Sequence, residues 1–309
     1  MQSRNSLEQK EPPQVQVVEP SSIVKDENTY AKLTCGSTDI LQDPKQQRLL
    51  GTNCILADDE LFLDLSYYAS FACSVSLTKR AVLRMTAKIY DPLGLIAPIV
   101  LPMKQISQNL CSDKADWDAP LDDELKGAVQ KRIVQLEEVE RVVIPRCYLP
   151  AAVGEIRSVE LHGFGDASKA AFGAVKYIRI KTDGICYASF FCSTSRVALL
   201  ENQSIPRLEL LAGLTLARLA STVERALQPI TRIDNVYCWL DSLTAIYWIL
   251  QERKEWKPFG QNRVTEIRRL IPTQKWFLSP TGENVTDIAS RGITLRELIS
   301  ERRWWKGPS

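Results

Sequence analysis

The sequence predicts an α/β fold, a five-stranded mixed sheet with flanking helices, preceded by a mostly helical segment. Three observations carry this. Val159, Leu161 and Gly163 alternate with Glu160, His162 and Phe164, the period of a half-buried strand. Thr182-Asp183-Gly184 is a hairpin signal between the apolar runs Ala171 to Ile180 and Ile185 to Ser193. Asn235 to Leu250 is near-continuously apolar, as a strand buried on both faces and running into a helix would be.

In chain order, residues 1–30 are polar and contain prolines, and read as a disordered tail. Residues 31–150 form one expected unit and 151–309 a second. Arg48 to Ser66 reads as two short strands around the acidic turn Asp58-Asp59-Glu60. Leu77 to Ile89 has helical spacing, with Val82, Met85 and Ile89 on one stripe, and Asp91-Pro92 ends it. A second helix spans roughly Pro98 to Cys111. A third spans Leu121 to Glu140, with Leu125, Val129, Ile133 and Leu136 on its buried side. Val142 to Pro150 is an extended link, with two prolines at a domain boundary.

The second unit opens with the three-stranded meander. Ser204 to Thr222 is then a helix, with Pro206 in its first turn and Leu208, Leu211, Thr215 and Leu219 as its buried stripe. Gly213 inside it implies close approach to the sheet. Trp256 to Leu270 is a basic helical segment and Gln274 to Pro280 a fifth strand. Gly282 to Gly292 is a short helix capped by Gly292. The tail after it reads as exposed aromatics among cations.

Composition bounds the function. The chain has 309 residues, 45% hydrophobic and 25% charged, with net charge +2. From Ala151 onward there are 22 Lys and Arg against 16 Asp and Glu, leaving 17 against 21 before it. A basic second half suits a polyanionic partner. Eight cysteines without a C-x-x-C pattern point to a reduced, cytoplasmic chain without a disulfide framework or zinc site. The longest apolar run, Leu93 to Met103, is too short for a bilayer, so no membrane is expected. The sequons at Asn202 and Asn284 are therefore expected to be coincidental.

Four acids carry the chemistry. A right-handed crossover through the helix at 204–222 places strand four parallel to strand one and beside it. Asp166 and Asp241, at the ends of these strands, then meet where open sheets put their sites. Glu209 on the crossover helix and Asp287 on the last helix reach the same place. Each acid alone has a plainer reading: Asp166 a turn former, Glu209 a first-turn dipole partner, Asp241 an N-cap, Asp287 a solvated residue. Their conjunction is the specific signal. Four clustered carboxylates stay ionised only with cations between them, and Mg²⁺ or Mn²⁺ suits oxygen ligands. Two such ions about 3.5–4 Å apart fit in-line phosphodiester cleavage, with the four carboxylates within roughly 4–8 Å of one another.

The stretches HGFGDAS, SIPRLELLAGLTLARL, YCWLDSLTAIYWI, WKPFGQNRV and ENVTDIASRG resemble the RNase H portion of Bel/Pao-type LTR-retrotransposon polyproteins. RLLGTNCI and MTAKIYDPLGLIAP resemble the end of the reverse transcriptase and its connection segment. The resemblance implies an RNase H-like sheet with Asp166, Glu209, Asp241 and Asp287 as the metal-binding catalytic acids. It also implies an RNA/DNA hybrid as substrate and an upstream polymerase portion of the polyprotein as partner. Lys257, Asn262, Arg263 and Arg291 are the expected nucleic-acid contacts, with Arg268 and Arg269 beside them and Trp256 and Phe259 packing on sugars or in the core.

The sequence departs from the family in two ways. Asp58-Asp59 lies in a hairpin and the family's Tyr-x-Asp-Asp motif is absent, so no polymerase activity is expected. Many RNase H domains carry a histidine before the last acid, but the only one here is His162. It lies about 13 Å from Asp166 by strand rise and reads as a packed strand residue. A single histidine without a fitting nucleophile, and no Asp-Ser/Thr-Gly, argue against proteolysis. The alternatives are a catalytically inactive nucleic-acid-binding remnant and a nuclease of the same fold acting on DNA.

Overall fold

The structure is a computed structural model describing residues 16–18, 46–49, 52–55, 57–112, 116–137, 141–149, 154–200 and 203–308. Apart from strand β1 (Gln16–Val18), the expected tail lies outside the described residues. Strands β2 (Gln46–Leu49), β3 (Thr52–Ile55) and β4 (Glu60–Asp64) follow, then helices α1 (Ser66–Cys73), α2 (Lys79–Lys88), α3 (Ala97–Ser112) and α4 (Asp123–Glu137), then β5 (Arg141–Pro145). These strands form an antiparallel sheet in the order β1-β5-β4-β3-β2. The expected link at 142–150 thus begins as a strand: Val142 and Val143 are buried, and their backbone pairs with Leu63 and Phe62. Helix α1 had no sequence signal strong enough to assign it. Helix α2 starts where the Thr78 hydroxyl accepts from the Ala81 amide.

The second sheet comprises β6 (Ile156–Ala167), β7 (Ala171–Thr182), β8 (Cys186–Val197), β9 (Asn235–Leu240) and β10 (Trp276–Leu278), in the order β10-β9-β6-β7-β8. The β6-β7-β8 meander is antiparallel, and β9 and β10 add in parallel. The five-stranded mixed sheet expected from the sequence is therefore present. Helices α5 (Ile205–Leu227), α6 (Leu243–Leu250) and α7 (Pro258–Leu270) cover one face, and α8 (Asp287–Arg291), α9 (Leu295–Ser300) and α10 (Arg302–Lys306) follow β10. No described helix is long and apolar enough to cross a membrane.

Strand β6 is buried on both faces, not one. Leu161 packs in the core with α5, while Phe164 packs in a second core on the opposite side. That second core joins Leu95, Ile99 and Val100 of the helical segment to Phe164, Tyr177 and Phe190 of the sheet. Gly94 makes the contact close. Its φ is +71°, and a Cβ there would stand 2.1 Å from the Ser193 carbonyl oxygen. Gln108 Nε2 donates to the Ala198 carbonyl at 2.7 Å, tying α3 to the end of β8.

The C-terminal aromatics are core residues, contrary to the exposed tail expected. Trp304 is 0% exposed and donates from Nε1 to the Leu95 carbonyl at 3.0 Å. Trp305 is also buried, and its Nε1 donates to the Leu298 carbonyl. The flanking cations hid this, because α10 is only five residues long and shows no period. Strand β9 alternates instead of being buried throughout: Val236, Cys238 and Leu240 are buried, and Tyr237 and Trp239 are half-buried.

Candidate active site

The sheet brings Asp166 and Asp241 together by register. Gly165 on β6 pairs with Leu240 on β9, so the next residue on each parallel strand is an acid. Asp166 is 4% exposed. Asp241 lies between the end of β9 and the start of α6, whose N-cap is Ser242, accepting from the Ala245 amide. The cap role that Asp241 could have filled is taken by its neighbour.

Helix α5 supplies the third acid through a close approach. A Cβ on Gly165 would stand 2.8 Å from Leu240 Cδ2 and 3.3 Å from the Ala212 carbonyl oxygen. Only a glycine lets the helix backbone lie this near the strand. Glu209, three residues before Ala212, is on the same side of the helix and is carried to Asp166. It lies in the second turn of α5, not the first, so the dipole reading fails. Of the expected stripe Leu208 and Thr215 are buried, and the buried face widens to Leu210, Ala212, Leu216 and Ala220. Leu211 and Leu219 are only half-buried.

One carboxylate oxygen from each of Asp166, Glu209 and Asp241 lies within 4.8 Å of the others. Asp287 begins α8 nearby, and its charge bears on both Asp166 and Asp241. Its carboxylate is half-exposed and paired with Arg291 one turn on, outside that trio. Three acids are therefore clustered and the fourth is held beside them.

The electrostatics are those of an uncompensated site. Burial, then the Asp166 and Asp241 charges, push the Glu209 carboxyl up to about 8. Burial pushes Asp166 up to about 6, with Asp241 and Asp287 adding to it and the Ser290 hydroxyl opposing. Asp241 is also raised, chiefly by burial. Glu209 Oε2 is buried with no hydrogen-bond partner. Three carboxylates with oxygens at this separation, one residue also carrying an orphaned oxygen, fit a hard divalent cation.

Two positioning groups escaped the sequence reading. Ser290, fully buried on α8, donates its hydroxyl to Asp166 Oδ2. Asn284, noticed only as a sequon, is 3% exposed. Its Nδ2 donates to the Gly165 carbonyl at 3.0 Å, and its Oδ1 accepts from the Thr286 amide. The small residues of Ala289-Ser290 were the available signal for Ser290. Asn284 offered none.

The basic segment is partly committed to the protein itself. Lys257, the N-cap of α7, and Asn262 on α7 are exposed. Arg263 lies 3.6 Å over the Phe259 ring and donates to the Phe259 carbonyl. Arg268 donates to the Ile249 and Trp248 carbonyls, closing the C-terminal end of α6. Trp256 packs with Tyr247 and Trp248, as the core reading required. The His162 ring packs against Tyr237 at 4.7 Å, tilted by 31°, and is a packed strand residue.

The N-terminal RNase H domain of rv2228c from Mycobacterium tuberculosis, a fusion with maltose binding protein, aligns at 10% identity with a TM-score of 0.28. It covers 43% of this chain and 86% of that one. The compost metagenome LC11-RNase H1 aligns at 14% identity and TM-score 0.27, over 47% of this chain and 96% of that one. The foamy viral protease-reverse transcriptase in complex with RNA/DNA hybrid aligns at 11% identity and TM-score 0.40, over 77% of this chain. The match spans 29% of the foamy viral chain. Likenesses this distant carry no argument, and no curated protein matches. The family described as Pao retrotransposon-like RNaseH-like domain matches residues 78–242, more than half of the chain. That stretch runs from the N-cap of α2 through Asp166, Glu209 and Asp241 to Ser242, so it takes in the packed helical segment and all three clustered acids. The chain belongs to the Pao retrotransposon-like RNaseH-like domain family.

Proposed function

We propose that this domain hydrolyses the RNA strand of RNA/DNA hybrids, leaving 5′-phosphate ends, within a retrotransposon polyprotein that also carries a polymerase portion. Asp166, Glu209 and Asp241 would hold two Mg²⁺ or Mn²⁺ ions, with Asp287 as a fourth ligand. Such ions, when bound, supply Lewis acidity at the phosphate and a more acidic water. The carrying observation is the acid trio, with Asp166 and Glu209 buried, Asp241 half-buried and one Glu209 oxygen orphaned.

The chain's own residues do the positioning. Ser290 holds the Asp166 carboxylate, and Asn284 fixes the strand just before it. Burial of Asp166 and Glu209 limits water at the acids. Lys257 at the N-cap of α7 and Asn262 on α7, with Arg263 behind them and Arg291 beside Asp287, would grip the backbone. Selecting RNA requires contacts to 2′-hydroxyls in the wide minor groove.

The test is cleavage of a labelled RNA/DNA hybrid with Mg²⁺, beside Asp166→Asn. Wild type should cut the RNA strand and the variant should not. Equal cutting by both would place the activity elsewhere. A second reading, an inactive remnant that binds nucleic acid, is favoured by the Asp287–Arg291 pair. Binding of the hybrid with no cutting by wild type would establish it.

A further inference from the structure

On the sheet face opposite α5 lies a concavity of about 410 Å³, a volume suited to a small ligand. Its floor is aromatic. The His162 and Trp239 rings lie 9° from parallel with centroids 6.5 Å apart, and Phe164 and Trp239 lie 13° from parallel at 6.2 Å. The three rings make a near-parallel row, with His162 and Trp239 partly exposed and Phe164 buried beneath the edge of the space. Burial pushes the His162 imidazole below its usual range, which favours an uncharged ring.

The walls are fixed. One is the C-terminal tail at Lys306, Gly307 and Pro308. It is anchored where the Tyr177 hydroxyl reaches the Arg303 and Trp304 carbonyls at 3.2 and 2.9 Å. The other is the loop after β10, with Ser279, Pro280 and Glu283. Two cations border the space. Arg179 is held at one corner by Glu160, at 2.8 Å. Lys306 is half-buried and has no hydrogen-bond or ion-pair partner among the described residues. Glu283, exposed, lines the same space.

We propose that this concavity binds a nucleoside monophosphate unit, either free or at the end of a nucleic-acid strand. Every base offers an aromatic surface to the partly exposed His162 and Trp239 rings, and such contact tolerates any sequence. The phosphate meets Lys306, the cation without a partner, with Arg179 behind it. Glu283 accepts from an amino group on the base edge. The site is separate from the acid cluster and stands whether or not those acids cut.

The test is titration of the full chain with AMP, adenosine and a 5′-phosphorylated tetranucleotide in a chelator, so that no metal bridges a phosphate to the acids. Amide and indole NMR shifts locate the binding, and calorimetry gives its strength. AMP should move the Trp239 indole and Gly307 amide signals, and adenosine should bind about tenfold more weakly. Lys306→Glu and His162→Ala should each cost AMP at least about tenfold, with melting curves confirming both variants fold. Similar binding of AMP and the tetranucleotide assigns the site to free nucleotides, and tighter binding of the tetranucleotide assigns it to strand ends. No shifts at millimolar AMP, or shifts that avoid Trp239 and Gly307, would overturn the proposal. So would AMP affinity indifferent to both substitutions in folded protein.

Discussion

Replacing Glu209 by Gln keeps the shape of the side chain and removes its charge. The carboxyl is 7% exposed and is pushed up from its ordinary 4.5 to about 8. Asp166 is likewise raised, from 3.8 to about 6. Because both folded values exceed the unfolded ones, the folded state holds more protons than the unfolded chain across that window. Stability without metal therefore falls as pH rises from about 4 toward 8. At roughly 1.4 kcal/mol per pKa unit, Glu209 alone accounts for about 4 kcal/mol at pH 8, and water entry cuts what is observable to ~2–3. Denaturant unfolding in a chelator reads this directly. Glu209→Gln should exceed wild type by ~2–3 kcal/mol at pH 8 and converge on it near pH 5. Added Mg²⁺ should stabilise wild type and leave the variant unmoved. A variant less stable than wild type at pH 8 without metal would refute the reasoning, because Glu209 would then not be an uncompensated charge.

Three other changes test separate parts of the structure. Ser290→Ala removes the hydroxyl that holds Asp166 and should weaken Mn²⁺ binding by about ten- to a hundredfold, read by calorimetry. Trp304→Ala empties a fully buried site that joins the tail to α3 and the sheet, and should cost about 3–5 kcal/mol in a denaturant melt. Lys176 is 0% exposed, and its ammonium nitrogen has no partner. Burial lowers its pKa, so the folded chain holds fewer protons there than the unfolded one, and stability rises with pH below the lysine's ordinary 10.5. Lys176→Met should stabilise by about 1–3 kcal/mol at neutral pH and flatten that part of the pH profile.

The reading of the chain succeeded where local pattern and topology agree. The hairpin at Thr182–Gly184 and the apolar run at Asn235–Leu240 each mark an element, and the right-handed crossover rule then orders the strands. From that order alone Asp166 and Asp241 are neighbours. Burial on both faces of β6 was not legible, because the layer that covers the second face comes from residues 95–100 and 304–305, far away in sequence. Trp304 and Trp305 looked exposed for the same reason: their cover is supplied by other segments.

The sequence alone determined which residues are acids and, through strand order, that Asp166 and Asp241 are neighbours; Glu209 and Asp287 were expected to join them, and the structure clusters Glu209 with the pair and holds Asp287 beside it. It could not determine their charge state or their orientation. Those depend on Ala212 lying against Gly165, on the Ser290 hydroxyl arriving from α8, and on Arg291 holding Asp287 to one side. Such contacts are fixed by packing distances of a few ångströms between distant segments, which no local pattern encodes.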